Sequence, residues 1–193
     1  MSQIRLIVGL GNIGNEYLGT RHNAGEWFVE TIADKFNTPM NLNNKFHGKV
    51  ATINHYSHKL YLLYPNTFMN KSGLAVGAIA NFYKIAAHEI LVAHDELDLP
   101  AGDIRLKQSG GHGGHNGLRD IERALGSRDF FRMRIGIDHP GDRNKVISYV
   151  LGKPPIEDKI EIDHAIDRAI SYLDDIILFK HQGVMNQLHR KKT

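Results

Sequence analysis

Apolar positions along the chain form two patterns, short continuous runs and stripes in which every third or fourth residue is apolar. The continuous runs predict strands, at residues 4–8, 49–56, 59–64, 90–93, 104–107 and 132–137. The stripes predict helices, at residues 23–36, 71–84, 117–125 and 156–179, with a short helix at 145–151. Strands that alternate with helices, without repeats or a linker, predict one α/β domain over residues 1–193. We expect a twisted mixed β-sheet flanked by helices.

Polar and glycine-rich segments directly follow several predicted strands. They span residues 9–22, 65–70, 94–100, 108–116 and 138–144. In open α/β sheets, binding sites form at the carboxyl ends of the strands, so segments after parallel strands meet in one crevice. A segment that follows an antiparallel strand starts at the opposite edge, and so not all five need to meet. The pattern predicts a functional crevice along one edge of the sheet.

The composition excludes cysteine-based chemistry and gives no sign of a membrane-spanning segment. The chain of 193 residues contains no cysteine, which excludes disulfides, thiolate nucleophiles and cysteine-ligated zinc. No run of 18 apolar residues is present, so the sequence predicts no membrane-spanning helix. The short apolar run near the N-terminus is expected to be a strand rather than a signal peptide. These features are compatible with a cytoplasmic protein.

The charged residues are unevenly distributed. The net charge is +3, but seven of the 21 acidic residues fall within residues 157–175, so the rest of the chain is strongly basic. A basic body beside one acidic helix suggests a polyanionic partner. A non-enzymatic RNA-binding module is one hypothesis for such a chain. Neither an RNA-binding aromatic sheet motif nor a basic repeat supports it.

A glycine motif follows the first predicted strand. The sequence Gly9-Leu-Gly-Asn-Ile-Gly14 matches G-x-G-x-x-G, and Asp34 lies 20 residues further on, as in dinucleotide-binding folds. That motif opens directly into a helix, whereas here the next helical pattern begins only near Ala24. We therefore favour a tight turn in which two backbones approach closely. An NAD-dependent oxidoreductase is the alternative.

His22 is the leading candidate for acid–base chemistry. It precedes Asn23, which is predicted to cap the following helix in a capping box with Glu26. The positive end of that helix disfavours the imidazolium, whereas Asp95, after the strand at 90–93, could accept the ring N–H and raise the pKa. The balance suits a general base. The alternative is a helix-start side chain bonded to backbone.

The absence of the usual side-chain nucleophiles favours an activated water molecule as the nucleophile. The sequence contains neither a cysteine nor a G-x-S-x-G motif. Metal activation is the competing mechanism, and the residues that could ligate zinc are His94, Asp95, Asp98, His112 and His115. Their spacing matches no H-E-x-x-H or comparable ligand set, so we expect neither a metal nor a cofactor.

Two asparagines follow unusual segments. Asn70 ends the sequence TFMN, and Asn116 ends GGHGGHN. An asparagine that caps a helix uses its carbonyl and keeps two amide donors. Such donors could hold a carbonyl or the oxyanion that develops as water attacks it. A flexible turn is the alternative for the glycine-rich stretch.

Seven ordered motifs between residue 4 and about residue 155 resemble one family. They are GLGNIG, TRHNAG, TFMN, HDELDLP, GGHGGHNGLRDI, FRMRIGIDHPG and VLGKPP. Together they resemble the bacterial peptidyl-tRNA hydrolases. The resemblance implies a monomeric, metal-free cytoplasmic enzyme that cleaves the ester between a peptide and the 3′ end of tRNA, and so recycles tRNA from aborted translation. The implied partner is peptidyl-tRNA, with no membrane.

The resemblance also implies roles for individual residues. His22 would be the general base, Asp95 would hold it in its basic form, and Asn12 would distinguish N-blocked from free aminoacyl groups. The residues implied to contact the tRNA end and the peptide are Tyr17, Phe68, Asn70 and Asn116. The residues that resemble the family's phosphate-binding cations are Lys107, Arg134 and Arg143. Ile13 replaces the proline of the family's usual GNPG, so we expect a less rigid turn around Asn12.

Overall fold

The computed structural model describes residues 3–55 and 57–189. Within these residues seven strands form one sheet. In chain order they are β1 (Leu6–Gly9), β2 (Asn41–Asn43), β3 (Gly48–His55), β4 (His58–Pro65), β5 (Ile90–Glu96), β6 (Ile104–Gln108) and β7 (Phe131–Gly136). The strands lie side by side in the order β2-β3-β4-β1-β5-β7-β6.

Seven α-helices occur in the same described residues. They are α1 (Ala24–Lys35), α2 (Ser72–Tyr83), α3 (Asn116–Leu125), α4 (Val146–Val150), α5 (Ile156–Ile170), α6 (Leu173–Ile177) and α7 (His181–Leu188). None of these described helices is long and apolar enough to cross a membrane.

The sheet is mixed, with a parallel centre and antiparallel edges. Strands β1, β4, β5 and β7 run parallel, so their carboxyl ends meet at one edge of the sheet. Strand β3 runs antiparallel to β4, and β6 runs antiparallel to β7. The central strands β1 and β5 are buried almost throughout, because helices cover both faces of the sheet.

Two hydrophobic layers cover the two faces of the sheet. Side chains alternate along each strand, so Ile7 and Leu91 face the layer of α1 and α4–α7, whereas Leu6 and Val92 face α2 and α3. The predicted fold class, a single α/β domain with a flanked mixed sheet, is confirmed. The domain bounds 1–193 stay a prediction, since residues 1–2, 56 and 190–193 lie outside the described part. That part therefore excludes Tyr56, the last residue of the strand predicted at 49–56.

The predicted helix over residues 156–179 is wrong, because the chain breaks it in two. Helix α5 ends at Ile170 and α6 begins at Leu173. At the break, the Ser171 hydroxyl donates to the Arg168 carbonyl, and the Tyr172 N–H bonds only three residues back, to Ala169. This tighter turn ends the regular helix. Strand β2 was not predicted either, since its sequence Asn-Leu-Asn offers no apolar run.

The glycine motif places helix α1 directly against the sheet. A Cβ on Gly9 would collide with the carbonyl oxygen of Gly25, and a Cβ on Gly25 would collide with the carbonyl oxygen of Ala93 in β5. Between Gly14 and α1 the chain forms two short 3-10 turns, at Asn15–Tyr17 and Arg21–Asn23. The motif therefore provides close backbone packing, and it lacks the helix that a dinucleotide pyrophosphate needs directly after it.

Replacing Gly25 by alanine is expected to lower the free energy of unfolding by about 1–3 kcal/mol, because the added methyl group overpacks the contact between α1 and β5. Gly77→Ala is the matched control. It also lies within a helix, but its Cβ would meet only Ala124, at an ordinary 3.8 Å. That variant should stabilise the protein by about 0.5–1 kcal/mol through helix propensity. Chemical denaturation measures both, and equal effects would contradict the packing argument.

Candidate active site

A cleft of about 690 Å³ opens at the carboxyl edge of the parallel strands. Its volume is typical of small-ligand sites. Segments that follow β1, β4, β5 and β7 all contribute to it, as the strand pattern predicted. The predicted site residues in its lining are Asn12, His22, Phe68, Asn70, Asp95, Asn116 and Arg143. Tyr17, Lys107 and Arg134 are outside this lining.

The segment after the antiparallel strand β6 also reaches the cleft, although it starts at the opposite edge. There the Ser109 N–H bonds to the carbonyl of Phe130, just before β7. Glycine-rich residues 110–114 then carry the chain back along the sheet, and Gly110, Gly113 and Gly114 adopt positive φ angles. Glycine tolerates these angles without strain. The return brings His115 to the carboxyl end of β5.

Asp95 lies between two histidines at the end of β5. Its side chain is 3% exposed. The Nδ1 atom of His22 lies 2.9 Å from each carboxylate oxygen, and the Nε2 atom of His115 lies 2.8 Å from Oδ1. The contact that the sequence suggested between His22 and Asp95 is therefore present. His115 forms a second contact, which the sequence did not predict.

The hydrogen bonds define which ring nitrogen carries each proton. The Nδ1 atom of His115 accepts from the backbone N–H groups of Gly117 and Leu118, so its Nε2 is the N–H that donates to Asp95. An ionised carboxylate only accepts, so the Nδ1 atom of His22 must also carry a proton. In the neutral ring, the remaining Nε2 atom of His22 is then the unprotonated acceptor, on a side chain that lines the cleft.

His115 has two functions in the fold, because it caps helix α3 and holds Asp95. Its sequence context indicated only a possible metal ligand. A signal for this role was present in the sequence. His115 stands directly before a helix and after a glycine-rich loop, much as His22 stands shortly before α1. Each histidine thus comes from the start of a helix on a different face of the sheet.

The charges of the cluster shift its pKa values in opposite directions. Burial acts to raise the pKa of Asp95, but His22 and His115 outweigh it and hold that pKa well below its usual range. Burial acts to lower the pKa of His22, but the charge of Asp95 and the hydrogen bond to it raise the pKa above its ordinary value. The neighbouring His94 is fully buried, and burial lowers its pKa to about 3. A neutral His94 beside His115 adds no competing charge to the cluster.

The three side chains of this cluster also bring their ligand atoms within 4.8 Å of one another, as a metal site would. However, each facing nitrogen already lies at hydrogen-bond distance from a carboxylate oxygen. The second nitrogen of His115 is occupied by the helix cap. The donor set therefore fits a hydrogen-bonded relay better than it fits a coordinated ion.

Asn12 is fixed from several sides in the turn after β1. Its side-chain oxygen accepts from the Met69 N–H at 2.7 Å, so its amide N–H₂ is the free part. Its backbone N–H and carbonyl bond to the side chain of Asn23, and its carbonyl also accepts from the Tyr64 hydroxyl. These bonds hold the turn although Ile13 replaces the family's usual proline.

The predicted capping role of Asn23 is wrong. Its side chain makes no capping bond to α1, which begins at Ala24. Instead the buried amide bonds both backbone groups of Asn12, and its N–H₂ donates to the Glu26 carboxylate at 2.8 Å. The spacing of Asn23 and Glu26 does bring their side chains together, as predicted. However, the Asn23 amide is used by the backbone of Asn12 and is not available for a capping box.

One aromatic side chain, Phe68, and the two amides of Asn70 and Asn116 also line the cleft. Half-exposed Phe68 meets Tyr17 edge to face, with ring centroids 6.4 Å apart. Asn70 is exposed in the 3-10 turn Met69–Lys71, and Asn116 is the first residue of α3. Neither is the capping residue of its helix, because Lys71 and His115 occupy those positions.

The three predicted phosphate-binding cations do not form one cluster. Arg143 lines the cleft. Arg134, on β7, donates to the Glu96 carboxylate at 3.1 Å. Lys107 is exposed on the edge strand β6, opposite Arg132 of β7.

Comparison with known proteins decides the family. The model of the family described as "Peptidyl-tRNA hydrolase" matches residues 6–193. The chain belongs to the peptidyl-tRNA hydrolase family. It is 55% identical to the peptidyl-tRNA hydrolase of Francisella tularensis subsp. holarctica, with 99% of this chain and 100% of that one covered. The Coxiella burnetii peptidyl-tRNA hydrolase is 54% identical, with coverage of 96% and 97%.

Solved structures agree with this family assignment. The crystal structure of the Acinetobacter baumannii peptidyl-tRNA hydrolase matches this chain with a TM-score of 0.95 and 49% identity, and the match covers 100% of this chain and 97% of that one. The expected ester hydrolysis of peptidyl-tRNA, with tRNA as the partner, is thereby confirmed. The oxidoreductase and the non-enzymatic RNA-binding module are not supported.

Replacing Asp95 by asparagine is expected to lower the pKa of His22, because the variant removes the charge that opposes the effect of burial. Titration of the imidazole nitrogens by NMR measures this shift. His181 is the internal reference, since its lowered pKa comes from burial in α7. An unchanged titration of His22 in a folded variant would contradict the assigned pairing.

Proposed function

We propose that this peptidyl-tRNA hydrolase uses His22 as a general base that activates a water molecule. The supporting observation is the contact of its Nδ1 with the ionised Asp95, which leaves Nε2 as an acceptor in the cleft. A base with this geometry needs no nucleophilic side chain, in agreement with the absence of cysteine. Asp95 orients the ring, and His115 holds Asp95 in turn.

In the proposed reaction, His22 accepts one proton from water and later donates it to the leaving group. Water attacks the ester carbonyl while its proton passes to Nε2 of His22, and the resulting imidazolium is stabilised by Asp95. The tetrahedral intermediate then collapses, and the bond between the carbonyl carbon and the ribose oxygen breaks. His22 returns the proton to that oxygen, which restores the base. The products are a peptide with a free carboxyl group and a tRNA with a free terminal hydroxyl group.

Amide donors are proposed to stabilise the charge that develops on the carbonyl oxygen. Asn70 and Asn116 lie in the lining of the cleft, and neither is committed to capping a helix. Fixed donors of this kind stabilise an oxyanion more in the transition state than in the substrate. The positions of Asn70 and Asn116, in the same cleft as His22, therefore suit the hydrolysis of an ester.

Asn12 is proposed to distinguish N-blocked from free aminoacyl groups. Because Met69 holds its oxygen, Asn12 presents only amide donors. A blocked amino group carries a carbonyl that accepts such a bond, whereas a free ammonium group contains donors only. This mismatch disfavours aminoacyl-tRNA that is still needed for translation.

The remaining surface is proposed to bind the acceptor end of tRNA. Phe68 and Tyr17 provide faces for base stacking, which is worth about 1–3 kcal/mol per base. Lys107, Arg134 and Arg143 are proposed to contact phosphates. We further expect a monomeric, cytoplasmic enzyme without a cofactor that returns tRNA from aborted translation to use.

His22→Ala is expected to lower kcat/KM for N-acetyl-aminoacyl-tRNA by about 10²- to 10⁴-fold, because general-base catalysis is lost. A single-turnover hydrolysis assay measures the chemical step. His88→Ala is the matched control, since His88 is exposed at the amino end of β5, away from the cleft. Cleavage by His22→Ala at the wild-type rate would disprove the assignment of the base.

Binding of tRNA is expected to weaken as salt rises, because phosphate contacts release counterions. Lys107→Ala and Arg143→Ala each remove one proposed phosphate contact. In each variant the slope of log K against log salt should therefore decrease in magnitude by about one. Fluorescence anisotropy with labelled tRNA over a range of salt concentrations measures it. Wild-type slopes in both variants would rule out these phosphate contacts.

A further inference from the structure

A buried arginine on β7 has no part in the proposed chemistry. Phe131 and Met133 face the layer of α1, so Arg132 between them points to the face of the sheet that α3 covers. Its side chain is 2% exposed. A guanidinium is costly to bury unless carboxylate and carbonyl oxygens replace the water that it loses. The partners of Arg132 therefore identify the parts of the chain that it joins.

The guanidinium of Arg132 is bonded to backbone carbonyls and to one carboxylate. Its Nη1 donates to the carbonyls of Phe130, at 3.0 Å, and Arg128, at 3.4 Å. Its Nη2 donates to the carbonyl of Gly110 at 2.6 Å and to the carboxylate of Glu122 at 3.2 Å. One side chain of β7 thus joins the beginning of the glycine-rich segment after β6 to the second turn of helix α3.

The residues between these two attachment points carry two groups of the proposed mechanism. Nε2 of His115 donates to Asp95, and Asn116 is the first residue of α3. Nδ1 of His115 accepts from backbone N–H groups in the first turn of the same helix. The ring of His115 therefore moves with the start of α3, and a shift of that start changes its distance from Asp95.

Packing contributes little to the position of the glycine-rich turn. A Cβ added at Gly111, Gly113 or Gly114 would meet no heavy atom of the described residues within 4 Å. Hydrogen bonds within the turn give it its shape, but they do not fix it relative to the sheet. The backbone N–H of Ser109 and the guanidinium of Arg132 do so, because both bond the chain to β7 or the residue before it.

We propose that Arg132 is a positioning residue for the hydrolysis, which holds the start of α3 and the turn before it so that His115 meets Asp95. The inference rests on the proposed function, in which Asp95 orients the general base. Arginine suits this role because its planar fork donates in several fixed directions, whereas the ammonium of lysine is one point on a flexible stem. If the turn shifts, Asp95 loses a donor. A displacement of about 1 Å in such a support can cost about 100-fold in rate.

Arg132→Lys is the main variant, because it keeps the buried charge but cannot reach all of these oxygens at once. We expect kcat for N-acetyl-aminoacyl-tRNA to fall by about 10- to 100-fold. The KM should change by less than about threefold, because the cations proposed to bind phosphate are retained. Steady-state hydrolysis measures both constants.

A second measurement does not depend on activity. Proton–nitrogen NMR correlation of the imidazoles shows which nitrogen of His115 carries the proton and how fast that proton exchanges with water. In the wild type the proton is expected on Nε2, where the bond to buried Asp95 protects it from exchange. In Arg132→Lys we expect this proton to exchange faster. A variant that is only less stable would keep the protection of the wild type.

Glu122→Gln tests the same contact from α3, and it replaces Arg132→Lys if that variant does not fold. It removes the charge of a side chain that is 9% exposed, and it should lower kcat by about 3- to 10-fold with the same change at His115. Arg128→Gln is the matched control. Arg128 also pairs with Glu122, at 3.1 Å, but among the described residues its side chain makes no bond to the glycine-rich turn. Its kcat should stay within about twofold of the wild type.

Ile166→Val controls for stability, because it removes a methyl group from the core on the opposite face of the sheet. It should leave both kcat and the protection of the His115 proton unchanged. A loss of kcat in Ile166→Val or Arg128→Gln as large as in the test variant would mean a general effect of stability or charge, and it would overturn the proposal.

The remaining outcomes separate this proposal from the proposed function. If the folded test variant keeps the wild-type kcat, Arg132 does not position the site. If kcat falls while the His115 proton stays protected, the loss does not act through His115 and the proposal fails. If His22→Ala cleaves as fast as the wild type, the proposed function fails, but the exchange of the His115 proton still decides whether Arg132 holds the turn.

Discussion

The structure of the site depends on a single buried carboxylate, that of Asp95. An ionised carboxyl group is costly to bury unless charge or N–H donors compensate for the lost water. Here two imidazole N–H groups do so, at 2.8 and 2.9 Å. They come from the starts of helices on opposite faces of the sheet, so the same interaction joins both layers and orients the proposed base. Removing it would affect the fold and the chemistry together.

The contact between His22 and Asp95 requires close packing elsewhere. Helix α1 can approach β1 and β5 closely only because Gly9 and Gly25 have no side chains between the two backbones. The polar turn of Asn12 is held in the same region by Asn23. A motif that resembles a nucleotide-binding loop thus has a different physical role, which is to bring the start of a helix close to the end of a strand.

Both polar and apolar side chains line the cleft around this cluster. Asn70, Asn116 and Phe68 contribute two amides and an aromatic ring to its lining, and α4 contributes aliphatic side chains, with Arg143 three residues before that helix. A substrate that joins a nucleic acid to a peptide presents both polar and apolar groups to such a lining.

The sequence by itself determined the order and type of most elements, the polar segments after the strands, and the absence of a cysteine nucleophile. Its motifs also indicated His22 and Asp95. It did not reveal the second histidine contact, the break between α5 and α6, or the use of Asn23 to hold a neighbouring turn. The histidine contact joins residues far apart in the chain, whereas the helix break and the role of Asn23 depend on which of several donors and acceptors pair. Only the tertiary structure decided them, because local periodicity reports which face a residue occupies and not which distant partner meets it there.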